Sequence, residues 1–282
     1  MGSSGSSGGD LGRTGRGEDG LFRQRPRGPA KSAVEAVDAD SGARRTGEAP
    51  ADYGRRVILL PVVAALAGLV IGLRTRALIA RYAPAEGEPS RPSRSPSPVV
   101  PVVTALALGA LALRALADRP ASGAFFPPDA TWVGELLAFW WLAVITVMLA
   151  FIDLAVYRLP DRLTLAAYLG TGGLLAAAAL AGGRLDDLLR AGLAGAALAA
   201  FYLALFLVNP AGMGLGDVKL AASLGTALGW LGWDSVVIGA FLGFVAGGLY
   251  GVALMAAGRA GRKSEIPFGP FMIIGAFAAI LV

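Results

Sequence analysis

The sequence contains no histidine and no cysteine in 282 residues, and only 16% of its side chains are charged. An ordinary soluble domain carries about 25%. Without cysteine there is no disulfide framework, no thiolate metal site and no cysteine nucleophile. Without histidine there is no Ser-His-Asp triad, and no zinc or haem can be held by imidazole. Proton chemistry must use Asp, Glu, Lys or Tyr, and no metal or cofactor is expected. What abounds instead is apolar: 55% of the residues are hydrophobic and 40 are glycine.

The few charges are unevenly spread. Residues 1–56 hold 10 of the 25 Lys and Arg and 8 of the 20 Asp and Glu. A polar tail ahead of a charge-poor body is the pattern of a membrane protein. The net charge of +5 then reads as basic loops beside a bilayer, with membrane lipid and not nucleic acid as the neighbour. The tail, 1–56, has too few large apolar residues to offset chain entropy and is predicted to be disordered. Its opening Gly/Ser run resembles a flexible linker, either native or left by a fusion. A second polar stretch, Arg74 to Pro98, carries five Arg and a Pro/Ser/Arg repeat. It is predicted to be a solvated linker.

Eight apolar stretches follow the tail, near 57–73, 99–117, 133–152, 163–182, 188–208, 218–233, 235–257 and 268–282. They run continuously and do not alternate, which argues for helices over barrel strands. The expected fold is all-α: a polytopic membrane helix bundle of about eight transmembrane helices. The sixth stretch is short and Gly-rich, and the last is short. The chain divides into the tail 1–56, two membrane helices within 57–132 around loop 74–98, and a six-helix membrane domain over 133–282. Loops holding Arg158, Arg162, Lys219, Arg259, Arg262 and Lys263 fall on one side, against Arg184 and Arg190 on the other. The excess of Lys and Arg assigns the first set to the cytoplasm. Loop 74–98 then also lies inside, and the basic tail lies outside, against the rule. A tail exempt from the rule, a first stretch that does not span, or a non-native tail would each remove that conflict.

An acid attached to an apolar stretch is costly to bury and is a functional candidate by default. Three qualify: Glu135, Asp153 and Asp217. Glu135 reads as an interfacial acid. Asp153 ends the third stretch, about two turns before Pro160, where no cap explains it. Pro160 breaks the chain, and Asp161 suits an N-cap or first-turn position in the next helix. Asp217 follows Gly212, Gly214 and Gly216, spaced at alternate positions, which predicts an irregular start to the sixth helix. Gly214 and Gly216 leave bare backbone against which an extended peptide could lie. Taken alone, Asp217 reads as a cap after a glycine loop, with Lys219 snorkelling to the interface. Taken together, Asp153 and Asp217 sit at the cytoplasmic ends of their helices. Held close, two carboxylates share one proton and can act as base and acid on a water attacking a peptide carbonyl. A proton- or solute-coupled transporter using the same acids, or two unrelated helix-end acids, are the alternatives. Pro267, Gly269 and Pro270 start the last helix, and a second reading closes the site near Asp217. The five tryptophans read as interfacial belts or helix packing.

Three motifs in this order resemble the type IV prepilin peptidase family of membrane aspartic proteases. They are Asp153 ahead of Leu159-Pro-Asp-Arg-Leu-Thr164, then Gly214-Leu-Gly-Asp-Val-Lys219, then Ile266-Pro-Phe-Gly-Pro270. The resemblance covers 133–282. It implies that Asp153 and Asp217 are the catalytic pair, with Pro160, Asp161, Gly214, Gly216, Lys219, Pro267 and Gly269 as motif or substrate-contact positions. It implies an aspartic endopeptidase of the cell membrane that removes the leader from prepilin-like precursors of pili or secretion machines, at the cytoplasmic face. Members that also methylate the new N-terminus carry a domain with paired cysteines between the first two helices. Loop 74–98 occupies that place without cysteine, so a peptidase-only form is expected. The Gly214-Leu-Gly-Asp217 piece also resembles the presenilin relatives, whose accompanying Tyr-Asp and Pro-Ala-Leu motifs this sequence lacks.

Overall fold

The computed structural model describes residues 51–80, 99–117, 130–210, 213–258 and 267–282. Among them are eight helices: α1 (Ala51–Ala80), α2 (Val99–Ala117), α3 (Ala130–Val156), α4 (Asp161–Gly182), α5 (Leu185–Val208), α6 (Leu215–Leu231), α7 (Trp233–Ala256) and α8 (Gly269–Leu281). No strand occurs among the described residues. Each helix overlies one of the eight apolar stretches, because a continuous apolar run in a bilayer must satisfy its own backbone. Six are long and apolar enough to cross a membrane: α1 over Ile58–Thr75, and α2, α3, α4, α5 and α7. The protein is a multi-pass membrane protein built as an all-α bundle. The two remaining helices, α6 with 17 residues and α8 with 13, are the short ones.

Two boundaries differ from the sequence reading. Helix α1 begins at Ala51, so 51–56 is helical and not part of an irregular tail; residues 1–50 lie outside the described residues. It also runs on to Ala80, so 74–80 is helical and not linker. The segment Arg74-Thr-Arg-Ala-Leu-Ile-Ala80 is made mainly of good helix formers, and the first proline after it is Pro84. The remainder of that linker, 81–98, lies outside the described residues, as do Arg259, Arg262 and Lys263.

The short helices are the inner ones. From Leu220 to Trp230 nearly every residue of α6 is buried, Ala222 being half-buried, and α8 buries Met272, Ile273, Gly275, Ala276, Ala279 and Ile280. A helix apolar on all sides belongs in a core. By contrast α7 turns Val237, Ile238, Phe241, Leu249 and Val252 outward, as a lipid-facing wall. Small residues let the inner helices come close. A β-carbon on Gly225 of α6 would stand 2.9 Å from Gly195 Cα of α5, and one on Gly275 of α8 would stand 2.7 Å from Gly243 Cα of α7. Any larger residue there would force the helices apart. The α6–α7 link is the single residue Gly232, whose φ of 150° lies where side-chain-bearing residues are strained.

Arginines close the C-terminal ends of both inner helices. Arg190 of α5 donates to the carbonyls of Gly229 (2.8 Å) and Trp230 (2.7 Å), and Arg114 of α2 donates to the carbonyl of Ile280 (3.0 Å). The final carbonyls of a helix have no partner within it, and cations favour that end of the dipole. Arg190 also pairs with Asp187, and Arg184 pairs with Asp187 and Glu135 while lying over the Trp230 ring. Glu135 is thus an ion-paired acid. Trp132 and Trp141 donate to the carbonyls of Ala115 and Ala166, which is helix packing.

Candidate active site

At the opposite end of the bundle, α3 ends and α4, α6 and α8 begin. Helix α3 stops at Val156, and Tyr157 takes a left-handed conformation (φ 54°), a position glycine usually fills. Its N–H donates to the Asp153 carbonyl at 2.8 Å. Three residues later Pro160 serves as the N-cap of α4, whose first residue is Asp161. Proline suits this place because the missing N–H would have no helical partner. The turn holds Leu159 against α6: a β-carbon on Gly216 would stand 2.7 Å from Leu159 Cβ.

The glycine-rich start of α6 is more regular than its sequence suggests. Gly214 is the N-cap, extended at φ −88° and ψ 153°, and Gly216 already lies inside the helix. First-turn N–H groups have no helical partner in any case, so a glycine there weakens the helix little, and its missing side chain admits Leu159. Asp217 is the third helical residue. Its carboxylate Oδ2 accepts the Gly214 N–H at 3.1 Å, and its own N–H donates to the Gly214 carbonyl at 3.1 Å. The capping role suggested by the sequence is therefore present, from inside the first turn.

Lys219 finds its partner on a second helix. Its Nζ donates to Asp161 Oδ1 at 2.6 Å, joining the starts of α4 and α6. The Asp161 side chain is 75% exposed and the Lys219 side chain 48%. Asp161 thus sits in the first turn of α4 while its carboxylate pairs across to α6.

Asp153 and Asp217 differ from every other acid in the described residues by being buried, at 5% and 6% exposure. Neither forms an ion pair among the described residues. Asp153 lies within electrostatic reach of Asp217 and of the Gly269 backbone N–H. Asp153 Oδ2 is buried without a hydrogen-bond partner among the described residues. Gly269, the first residue of α8, locates both acids. A β-carbon there would stand 2.8 Å from Asp153 Oδ2 and 3.6 Å from Asp217 Oδ1. Two carboxyl groups from distant parts of the chain thus approach one point, beside the Gly269 backbone. Burying unneutralised carboxylates is costly, so such a pair marks chemistry more often than architecture.

Of the residues named from sequence, Asp153, Asp217, Gly214 and Gly269 come together. Pro160 and Gly216 form the packed turn behind them, and Asp161 with Lys219 forms an exposed ion pair beside them. Pro267 precedes the N-cap residue Phe268, and Pro270 occupies the first turn of α8; Ile266 lies outside the described residues. An aromatic group against α8, formed by Tyr202, Phe244 and Phe268, was not foreseen. No spacing in the sequence relates residues on three separate helices. Among the described residues no cluster of acids capable of holding a metal ion occurs.

Residues 136–252 match the model of the type IV leader peptidase family. The chain is 39% identical over 144 residues to a prepilin leader peptidase/N-methyltransferase of Aeromonas salmonicida, covering 50% of this chain and 47% of that protein. It is equally similar, over the same lengths, to the protein of that name from Aeromonas hydrophila. The Legionella pneumophila protein is 34% identical over 153 residues, 51% of this chain and 48% of its own. The chain spans about half the length of the curated relatives it matches. No solved structure matches it. Through residues 136–252, which run from α3 into α7 and include both buried acids, the chain belongs to the type IV leader peptidase family.

Proposed function

We propose that this protein is a membrane-embedded aspartic endopeptidase that removes the leader peptide from type IV prepilin-like precursors at the cytoplasmic face. The observation that carries the reading is the pair of buried carboxyl groups, Asp153 and Asp217, both against Gly269. In a chain without His or Cys, few other routes to amide hydrolysis remain. In the proposed reaction the pair holds one proton. The ionised carboxylate takes a proton from water, whose oxygen attacks the scissile carbonyl carbon. The other carboxylic acid gives its proton to the carbonyl oxygen. Collapse of the tetrahedral intermediate breaks the C–N bond, and the leaving amine takes its proton from the pair.

The extended, exposed backbone at Gly214 adjoins Asp217. A leader segment laid along it as an added strand would bring its carbonyl to the acids. The cytoplasmic orientation is supported by charge. Arg158, Arg162 and Lys219 are exposed at the site end, while Arg184 and Arg190 at the far end are held in ion pairs. We assign the peptidase reaction alone, because the segment 74–98 contains no cysteine where methylating members carry pairs.

The test is cleavage of a pilin-like precursor in membranes containing wild type, Asp153→Asn or Asp217→Asn. Cleavage lost in both variants is the expected result. Processing that survives either substitution would overturn the two-acid mechanism, and solute movement that depends on the same acids would favour a transporter.

A further inference from the structure

Four buried side-chain atoms have no hydrogen-bond partner among the described residues: Trp140 Nε1, Asp153 Oδ2, Thr171 Oγ1 and Ser223 Oγ. Asp153 belongs to the site. The two hydroxyls belong to one seam, between α4 and α6. Ser223 is 0% exposed and Thr171 1%. Other buried threonines return their hydroxyls to carbonyls of their own helices: Thr104 to Val100 (2.9 Å), Thr146 to Leu142 (2.7 Å) and Thr226 to Ala222 (2.8 Å). A buried hydroxyl that does not bond back in this way needs a partner off its helix.

Ser223 lies on the row of α6 that faces α4, since residues three, four and seven apart share a helix face. On that row Gly216 meets Leu159 of the turn before α4, Lys219 pairs with Asp161, and Trp230 packs in one cluster with Leu175 and Ala178. On α4, Thr171 lies two turns from Thr164 and two turns from Ala178, and all three are buried. Both helices start at the site end. The contacts at Gly216 and Lys219 set Ser223 nearer that end than Thr171 by about one and a half turns, about 8 Å. Between these levels each helix offers alanine: Ala227 one turn beyond Ser223, and Ala167 one turn before Thr171, both fully buried.

We propose that Ser223 and Thr171 hold a short chain of buried water, about two molecules, in the seam between α4 and α6. A span of about 8 Å is the length of roughly three hydrogen bonds in series. The alanines keep that span free of large side chains. Each water meets a hydroxyl, the other water and the second lone pair of a helix carbonyl, within the range of about two to four partners that a buried water takes. The row opens to the aqueous side at Lys219, which is exposed one turn before Ser223. The proposal does not rest on the peptidase reading, and it concerns helix faces behind the acids.

The experiment uses the full chain in lipid nanodiscs and solid-state NMR, with polarisation transferred from water to the protein. The signals of Thr171 and Ser223 are identified by their loss in Thr171→Val and Ser223→Ala. Both residues should receive water polarisation at least about tenfold faster than Thr104 and Thr146, which are equally buried but bonded within their helices. Ser223→Ala should slow the transfer to Thr171, because the chain loses one anchor. Unfolding supplies a second readout, through its sign. In a dry seam an unmatched hydroxyl is destabilising, so its removal would stabilise the fold. With water bound, Ser223→Ala and Thr171→Val should each lower the folding equilibrium constant about three- to tenfold. Transfer to Thr171 and Ser223 as slow as to Thr146, or variants more stable than wild type, would overturn the proposal. Transfer to Thr171 that is unchanged in Ser223→Ala would overturn the single chain.

Discussion

The two ends of this bundle treat charge in opposite ways. At the far end, every acid and base named is used up in structure. Arg190 and Arg114 donate to the last carbonyls of α6 and α8, and Arg184 joins Glu135, Asp187 and the Trp230 ring. At the site end, Asp153 and Asp217 are buried with no cation paired to them among the described residues, and the ion pair nearby, Lys219 with Asp161, is left in the open. One end lowers the energy of the fold and the other holds charge in reserve. The inner helices α6 and α8 join the two, tied by arginine at their C-termini and carrying Asp217 and Gly269 at their N-termini. Structural ion pairing and the proposed chemistry thus lie at opposite ends of the same two helices.

Substitutions can break or sharpen that contrast. The largest effect is expected at the site itself. Asp153→Asn and Asp217→Asn should each reduce leader cleavage at least about a thousandfold, while circular dichroism and thermal unfolding stay near wild type. Next comes Gly269→Ala, whose methyl would press on Asp153 Oδ2. Cleavage should fall about 10- to 100-fold, since small displacements of reacting groups carry penalties of that size. Gly248→Ala, a substitution into open space on α7, is the matched control and should cleave as wild type does. At the far end the effect should move from rate to stability. Arg190→Ala, which abandons two α6 carbonyls, should destabilise by about 1–3 kcal/mol in detergent unfolding, with cleavage per folded molecule retained. Loss of catalysis without loss of stability would erase the proposed division. Smallest is Lys219→Ala, where an exposed ion pair predicts a stability change below about 1 kcal/mol that shrinks further in high salt.

How much of this was legible in the sequence follows from what each feature depends on. All eight helices were visible, because apolar runs in lipid leave the backbone one solution. Their ends were less so: α1 outruns its apolar run at both ends, since Ala, Leu and Arg extend a helix into water at little energetic loss. The two acids stood out because a carboxyl on an apolar run is anomalous. Gly216 was read as irregular, yet it lies within α6, because the sequence does not reveal that Leu159 packs where its side chain would be. The partners of Lys219 and Glu135, 58 and 49 residues away, and the meeting of Tyr202, Phe244 and Phe268 are tertiary facts with no local signal. Local patterns revealed which residues were unusual, and only the packing revealed what they face.

The shortness of α6 and α8 has a consequence for the surrounding lipid. At 17 and 13 residues they are about 25 and 20 Å long, against a hydrocarbon core of about 30 Å. Outer helices answer a mismatch in thickness by tilting or by deforming the bilayer. The inner pair, largely screened by its neighbours and exposing chiefly Ile274 of α8, has few acyl chains to match. The aqueous boundary can therefore dip to where these helices begin, at Asp217 and Gly269. The depth of water over the acids is then set by protein, and stays the same when the membrane thickens or thins around it.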